Sequence, residues 1–347
     1  MKIIKIALIG YGSVGKAFLQ LLYDKQNYLI NEEINIKVIY IIASNGGIYN
    51  ASGIDYKKII KFSKNNTDLT KYPYGGSVKI NFNKIIENND VDIIVEMTPT
   101  NKDTGEPGMM HITKALKNGI NVITSNKGPI LLAYRRLKKL AKEKNVQLGV
   151  GCTTGGALPT INGGMIDLAG SSILSIEGIL NGTTNFILKE MEDNQVTYAE
   201  ALKKAQKLNI AETNPTLDVD GWDTASKLLI LTNILMNQDK TLNDIIVSGI
   251  TEITPKQIKE ARLKGEKYKL IGKTENINGK LCMNVKLQKI KSTHPLYYVD
   301  GRNKGVRYTS DTLGDLTILG GASGAIPAAA SLLRDLININ RGYDFLR

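Results

Sequence analysis

Ile3-Ile4-Lys5-Ile6-Ala7-Leu8-Ile9 has the pattern of a buried strand and runs straight into Gly10-Tyr11-Gly12-Ser13-Val14-Gly15, after which Lys16–Leu22 reads as a helix. A strand, a glycine string and a helix in that order leave few folds open, because the glycines have separate jobs. Gly10 permits a tight turn, Gly12 lets backbone approach a pyrophosphate, and Gly15 allows the helix to pack closely on the strand. The helix amino terminus then offers its N–H groups to the diphosphate. Residues Gly10, Tyr11, Gly12, Ser13, Val14 and Gly15 are therefore the expected cofactor loop of a dinucleotide-binding domain.

Further strands are predicted at 36–43, 91–95, 121–124 and 146–150, the spacing of an alternating α/β sheet. Each ends in a short polar cluster, and a parallel sheet gathers those clusters at its carboxyl edge, where ligands bind. Thr98, Pro99 and Lys127 fall in them. The stretch 46–76 is expected to form loops and a helix over 56–63. At the end of the second strand, Ala43-Ser44-Asn45 carries no acid to hold ribose hydroxyls, and Lys57 and Lys58 follow. That leans the cofactor, NADP or NAD, towards NADP.

The chain's formal charge of +12 is spread over many lysines, without the basic stripe and interleaved aromatics of a nucleic-acid binder. No secretory signal or long apolar span is seen, so the reading is a cytoplasmic protein with no membrane partner. Two cysteines and two histidines support neither a disulfide framework nor a zinc site.

Beyond Gly151 the character changes. A strand is expected over 175–180, then Asn181-Gly182-Thr183-Thr184, then a helix from Asn185. The turn offers N–H groups, an amide and a hydroxyl, which suits a carboxylate or a small polar substrate; a plain turn with a helix cap fits equally well. The segment from Ala211 to Lys227 concentrates Glu212, Asp218, Asp220, Asp223 and Lys227. Asp220 is expected to cap the following helix, with Asp223 completing a capping box. Asp223 and Lys227 stand four residues apart and share a face. Leu228-Leu229-Ile230-Leu231 is apolar around the whole circumference, so this helix should be buried and Lys227 should be paired. Trp222 is expected to pack with it, and His111 to be an ordinary helix-start histidine.

These blocks, with Thr124–Gly128, Gly155–Pro159, Gly178–Thr183 and the glycine-rich stretch 320–330, resemble homoserine dehydrogenase along essentially the full chain, in a short form with no appended regulatory domain. The resemblance implies an α/β fold, with a Rossmann-like nucleotide-binding domain (1–150 and 320–347) and a mixed α+β substrate and dimerisation domain. In that second part 161–288 would hold the substrate, and 151–160 with 289–319 would form the dimer contact of a homodimer. It implies NAD(P)-dependent interconversion of L-aspartate 4-semialdehyde and L-homoserine. Lys127 and Lys227 would be the lysines at the reacting carbonyl. Glu212 and Asp223 would hold the substrate ammonium and Lys227, with Asp218 nearby. Asn181, Gly182 and Thr183 would line the pocket, and Ser44, Thr98, Pro99, Lys127 and Gly324 would join the cofactor loop. A lysine suits aldehyde reduction because a cation or proton donor stabilises the alkoxide that develops.

The sequence departs from the family in two places: in the terminal glycine block Ser323 and Pro327 replace residues more often Gly and Thr, and a second position bears on a metal ion. Members often carry a glutamate shortly before the glycine loop that helps hold a monovalent cation. The matching position here is Gly151, or Cys152 on a one-residue slip. A sodium site would then rest on backbone near Thr154 and Ala157. Two alternatives stand beside this reading. Aspartate-semialdehyde dehydrogenase would need Cys152 as nucleophile. A non-catalytic dinucleotide-binding sensor would have lost the lysines and acids that this chain retains.

Overall fold

The structure, a computed structural model, describes residues 3–346. The chain divides into two compact units, one ending at Thr153 and resuming at Gly324, the other Thr154–Ser323.

The first unit is built on seven strands: β1 (Ile3–Ile9), β2 (Asn35–Ala43), β3 (Gly46–Tyr49), β4 (Gly76–Ser77), β5 (Ile93–Glu96), β6 (Asn121–Thr124) and β7 (Leu148–Gly149), in the order β4-β3-β2-β1-β5-β6-β7. Strands β1, β2, β5, β6 and β7 are parallel, and both faces of β1 are covered. Ile6, Ala7 and Leu8 are fully buried, which explains why the strand reads as one apolar run rather than an alternation. Phe18, Leu19 and Leu22 of the helix Ser13–Asp24 share a core with Ala329, Leu332 and Leu336 of the helix Ala325–Asn340. The last segment of the chain thus completes the core begun by the first.

One expectation for this unit is corrected. Residues 46–76 are not only loops and a helix: β3 pairs antiparallel with β2 and β4 antiparallel with β3, around the helix Tyr56–Asn65. The β2–β3 connection is a two-residue hairpin, Ser44-Asn45, and Tyr40 stacks on Tyr49 across it with ring centroids 4.5 Å apart. A glycine-rich strand gives no β-propensity signal. Here the glycines serve close packing instead, since a Cβ on Gly47 would lie 2.5 Å from the Ile41 carbonyl oxygen.

The second unit holds β8 (Ile173–Ile179), β9 (Ile245–Val247), β10 (Glu266–Ile277), β11 (Lys280–Lys291), β12 (Lys304–Ser310) and β13 (Asp315–Gly320), in the order β13-β12-β8-β10-β11-β9. Strands β10 and β11 form a long hairpin whose turn, Asn278-Gly279, has both residues at positive φ, as a two-residue hairpin requires. The helix Trp222–Leu235 lies on β10: Thr232 and Thr274 share a 2.7 Å hydrogen bond, and Leu228 and Leu231 are fully buried. That buried helix was expected. Its start was not. Gly221, at φ +90°, occupies the N-cap with no side-chain cap, and Asp220 instead closes the short helix Thr216–Val219. Trp222 is 41% exposed rather than packed, because it is the first residue of the helix. The helix predicted from Asn185 begins at Gly182, with Asn181 as its N-cap.

Beneath the loop that follows β11 sits a buried cation. Lys269, 2% exposed, donates to the carbonyl of Val299 (2.6 Å), to Asp300 (2.8 Å) and to the amide oxygen of Asn185 (3.0 Å). Burial pushes its ammonium below the ordinary value. Burial also opposes ionisation of Asp300, yet hydrogen bonds from Lys267 and Lys269 outweigh it and hold that carboxyl below the usual range. A folded-state value below the unfolded one means that the Asp300 contribution is present above about pH 4 and lost as pH falls through the depressed value. Lys269→Met strands these acceptors and should cost ~3 kcal/mol in urea unfolding at pH 7. A loss below ~0.5 kcal/mol would show that the ammonium does not support the loop.

Candidate active site

In the first unit the carboxyl edge of the parallel sheet is a glycine loop backed by a carboxylate. Gly10 stands at φ +96°, donates its N–H to the Ile42 carbonyl (2.9 Å), and has no room for a Cβ beside the Met97 carbonyl. A Cβ on Gly15 would lie 2.4 Å from the Gly10 oxygen, so helix and loop touch through backbone. A Cβ on Gly12 would meet nothing within 4 Å: its face of the loop is open. The helix Ser13–Asp24 starts there without a side-chain cap, so its first N–H groups point into that open face. This is the shape that a diphosphate needs. Tyr11 is half-buried, and its hydroxyl lies 3.2 Å from that of Ser63. Ser44 is exposed at the hairpin tip two residues beyond Ile42, while Asn45 is held by Asp68 (2.9 Å).

Glu96, at the end of β5, organises the residues that follow the strand. Fully buried, it accepts from the N–H of Thr98 (3.1 Å), from the Thr98 hydroxyl and from the Thr124 hydroxyl (3.1 Å), and the His111 Nδ1 lies 3.6 Å away. Asn126 reaches from its buried position to the Thr98 hydroxyl (3.3 Å) and the Pro99 carbonyl (3.4 Å) and caps the helix Lys127–Glu143 through the Gly128 N–H. Lys127, half-buried, is the first residue of that helix. Gly324, at φ +119°, heads the helix Ala325–Asn340. Sequence reasoning gave Glu96 no role. The signal for it was an acid at the end of an otherwise apolar strand. His111 is buried against Phe82 in the first turns of Gly108–Lys117.

In the second unit the candidate residues form one hydrogen-bonded chain. Lys227 donates to Asp223 (2.5 Å) and to the carbonyl of Leu180 (2.8 Å). The Asn181 amide nitrogen donates to Asp223 (2.8 Å) and to Asp218 (2.6 Å), joining two carboxylates that would otherwise repel. Its amide oxygen accepts from the Thr184 N–H (2.9 Å), so the residue that links the acids also caps the helix Gly182–Asn194. Only Asn or Gln offers donors and an acceptor together in this way. Asn181 is 4% exposed, and the side chains of Asp223 and Lys227 are 12% and 15% exposed. Gly182 is required where it stands, since a Cβ would meet the Arg302 carbonyl oxygen at 2.9 Å. Thr183 donates to the Ile210 carbonyl (3.1 Å) and so anchors the strap that carries Glu212. Glu212 itself is exposed and stands outside the chain that links Asn181, Asp218, Asp223 and Lys227.

Thr154 and Ala157 lie in the tight turn that opens the second unit, where the Thr154 hydroxyl meets that of Thr160 at 2.6 Å. Cys152 is 7% exposed, with its sulfur 3.5 Å from the Ala328 carbonyl, a poor setting for a nucleophile. Among the described residues no group of three or more His, Cys, Asp and Glu could hold a metal, and no helix is long and apolar enough to cross a membrane.

A chain with one Rossmann-type unit that carries an open glycine loop, and another unit that fixes a lysine between a carboxylate and a carbonyl, has the parts of a nicotinamide-dependent oxidoreductase. Comparison with known proteins narrows the class. The NAD-binding domain of homoserine dehydrogenase matches residues 10–150, and the homoserine dehydrogenase family itself matches residues 159–337. The homoserine dehydrogenase of Methanocaldococcus jannaschii is 39% identical over 96% of this chain and 98% of its own length. The NAD(+)-dependent homoserine dehydrogenase of Pseudomonas canavaninivorans is 35% identical over 97% of this chain and 96% of its own. A crystal structure of S. aureus homoserine dehydrogenase superposes with a TM-score of 0.77 at 30% identity, covering 99% of this chain and 77% of that one. The chain belongs to the homoserine dehydrogenase family and is an NAD(P)-dependent oxidoreductase.

Asn181→Asp replaces the shared donor by a third carboxylate. Its Tm should fall by several degrees at pH 8, on the order of 2 kcal/mol, and recover in part at pH 5 as the cluster takes up a proton. An unchanged Tm at both pH values would mean that the amide bridge carries no stability.

Proposed function

We propose that the protein interconverts L-aspartate 4-semialdehyde and L-homoserine, with NADP as the favoured cofactor, in the biosynthesis of threonine, methionine and isoleucine. The observation that carries this reading is the fixed ammonium of Lys227. Two of its three N–H donors go to Asp223 and the Leu180 carbonyl, which leaves the third for a substrate oxygen. Nicotinamide, when bound, supplies the hydride that forms the new C–H bond at the aldehyde carbon. The carbonyl electron pair moves onto oxygen, and Lys227 gives that oxygen its proton. The neutral amine then takes up a proton from solvent, and the Asp223 carboxylate stabilises the ammonium so restored.

Lys127 serves as the electrostatic helper that orients the substrate. Asp218 and Glu212 attract the substrate ammonium, and the N–H groups of Gly182 and Thr183, at the start of a 13-residue helix, suit its carboxylate. NADP is favoured because Ala43-Ser44-Asn45 offers no acid to the ribose, while exposed Lys57 and Lys58 stand close in sequence. Residues 151–160 and 289–319 are the proposed contact of a homodimer in the cytoplasm. In support, β13 is an edge strand with Leu319 48% exposed, and neither cysteine is in a disulfide.

An NADPH-oxidation assay with aspartate semialdehyde tests the reading. Lys227→Ala should lower kcat by ~100-fold or more and leave cofactor Kd within about twofold. Comparable turnover in the variant would remove Lys227 from the chemistry. Light scattering should give about twice the chain mass of 38.0 kDa; a single-chain mass would rule out the dimer.

A further inference from the structure

A second buried ammonium lies at the turn whose backbone would carry any sodium site. Lys304, 6% exposed, opens β12 and donates to the carbonyl oxygen of Gly155 (2.8 Å) and to the hydroxyl of Ser323 (3.3 Å). The same Gly155 oxygen accepts the Leu158 N–H at 3.3 Å, so the turn Thr154–Leu158 closes on the atom that Lys304 holds. Gly156 stands at φ +62°, and a Cβ there would lie 3.5 Å from the Lys304 nitrogen. Residue 321 packs onto the turn so closely that a Cβ on Gly321 would meet the Leu158 backbone nitrogen at 2.7 Å. The chain therefore enters and leaves this unit side by side, and Lys304 fastens the two passes together.

A sodium ion on these carbonyls would need several oxygens and no competing charge nearby. The position that would bring a carboxylate is Gly151 or Cys152, and the Gly155 oxygen already faces a cation. A metal ion on that oxygen would stand against the Lys304 ammonium with little water to screen the repulsion. The residues present do not fit a monovalent metal ion. We infer that the Lys304 ammonium is a built-in replacement for it: a tethered cation that holds the turn at 154–158 against residues 320–323, so that the protein needs neither sodium nor potassium. The ion in question is part of the framework, so ion binding and stability read it without reference to the substrate.

The full chain is exchanged into choline chloride, and Tm and the ²³Na NMR linewidth are followed as NaCl or KCl replaces choline at constant ionic strength. The unaltered protein should shift by less than ~1 °C and show no saturable broadening of the sodium line. Lys304→Ala, which leaves room at the Gly155 carbonyl, should lose about 3–5 °C in choline and regain at least half of it, saturably, in sodium or potassium. Saturable sodium binding by the unaltered protein would overturn the inference. So would a folded Lys304→Ala protein whose Tm is unchanged in choline or does not respond to either ion. If Lys304→Ala does not fold, the titration of the unaltered protein decides alone.

Discussion

A charged lysine cannot be placed near the core of a domain unless its surroundings are settled first, and in this protein Lys227 imposes that condition on everything close to it. Its ammonium requires Asp223 one turn earlier on the same helix and the Leu180 carbonyl at the end of β8. Asp223 in turn requires Asn181, because a second carboxylate, Asp218, competes for the same space. Asn181 can serve both only from the cap of the helix Gly182–Asn194, which fixes where that helix begins. Strand end, helix start and the Lys227 amine are thus set by one set of charges. The rigidity comes from pairing rather than from apolar packing, and such pairing is costly to break by removing one member.

The first unit uses the same device with the opposite sign. Glu96 is a fully buried carboxylate at the tip of a strand, and its oxygens collect the Thr98 N–H and the hydroxyls of Thr98 and Thr124. Thr98 and Asn126, two residues that shape the sheet's carboxyl edge, are thereby locked together before any ligand arrives. Preorganisation of this kind limits the ordering cost when a cofactor binds. Lys304 is a third instance, with an ammonium ordering backbone at the turn Thr154–Leu158.

Much of this was legible in the sequence where local pattern and tertiary demand agree. β1 and β6 matched their expected spans, and the other parallel strands fell within about two residues, because a strand buried on both faces announces itself as an apolar run. The Asp223–Lys227 pair followed from helical spacing and the Leu228–Leu231 run. Legibility failed where backbone geometry overrides composition. β3 and β4 are glycine-rich, and their pairing depends on close approach, which no propensity reports. The start at Gly221 replaced the expected Asp220 cap because two helices meet there and the chain must turn through positive φ. Glu96, Lys269 and Lys304 were not singled out, since nothing in a single sequence tells a buried charge from the many solvated ones. Their partners come from residues such as Thr124, Asp300 and Gly155, which lie 28, 31 and 149 positions away.

The central claim is that the paired amine of Lys227 meets the oxygen that gains negative charge. A crystal structure with homoserine and an unreactive reduced-cofactor analogue tests it most directly. The account predicts the Lys227 nitrogen within hydrogen-bond reach, about 3 Å, of the homoserine hydroxyl oxygen, with its contacts to Asp223 and Leu180 retained. A bound alcohol whose oxygen is served by other groups, with Lys227 beyond about 5 Å and no water between them, would contradict it.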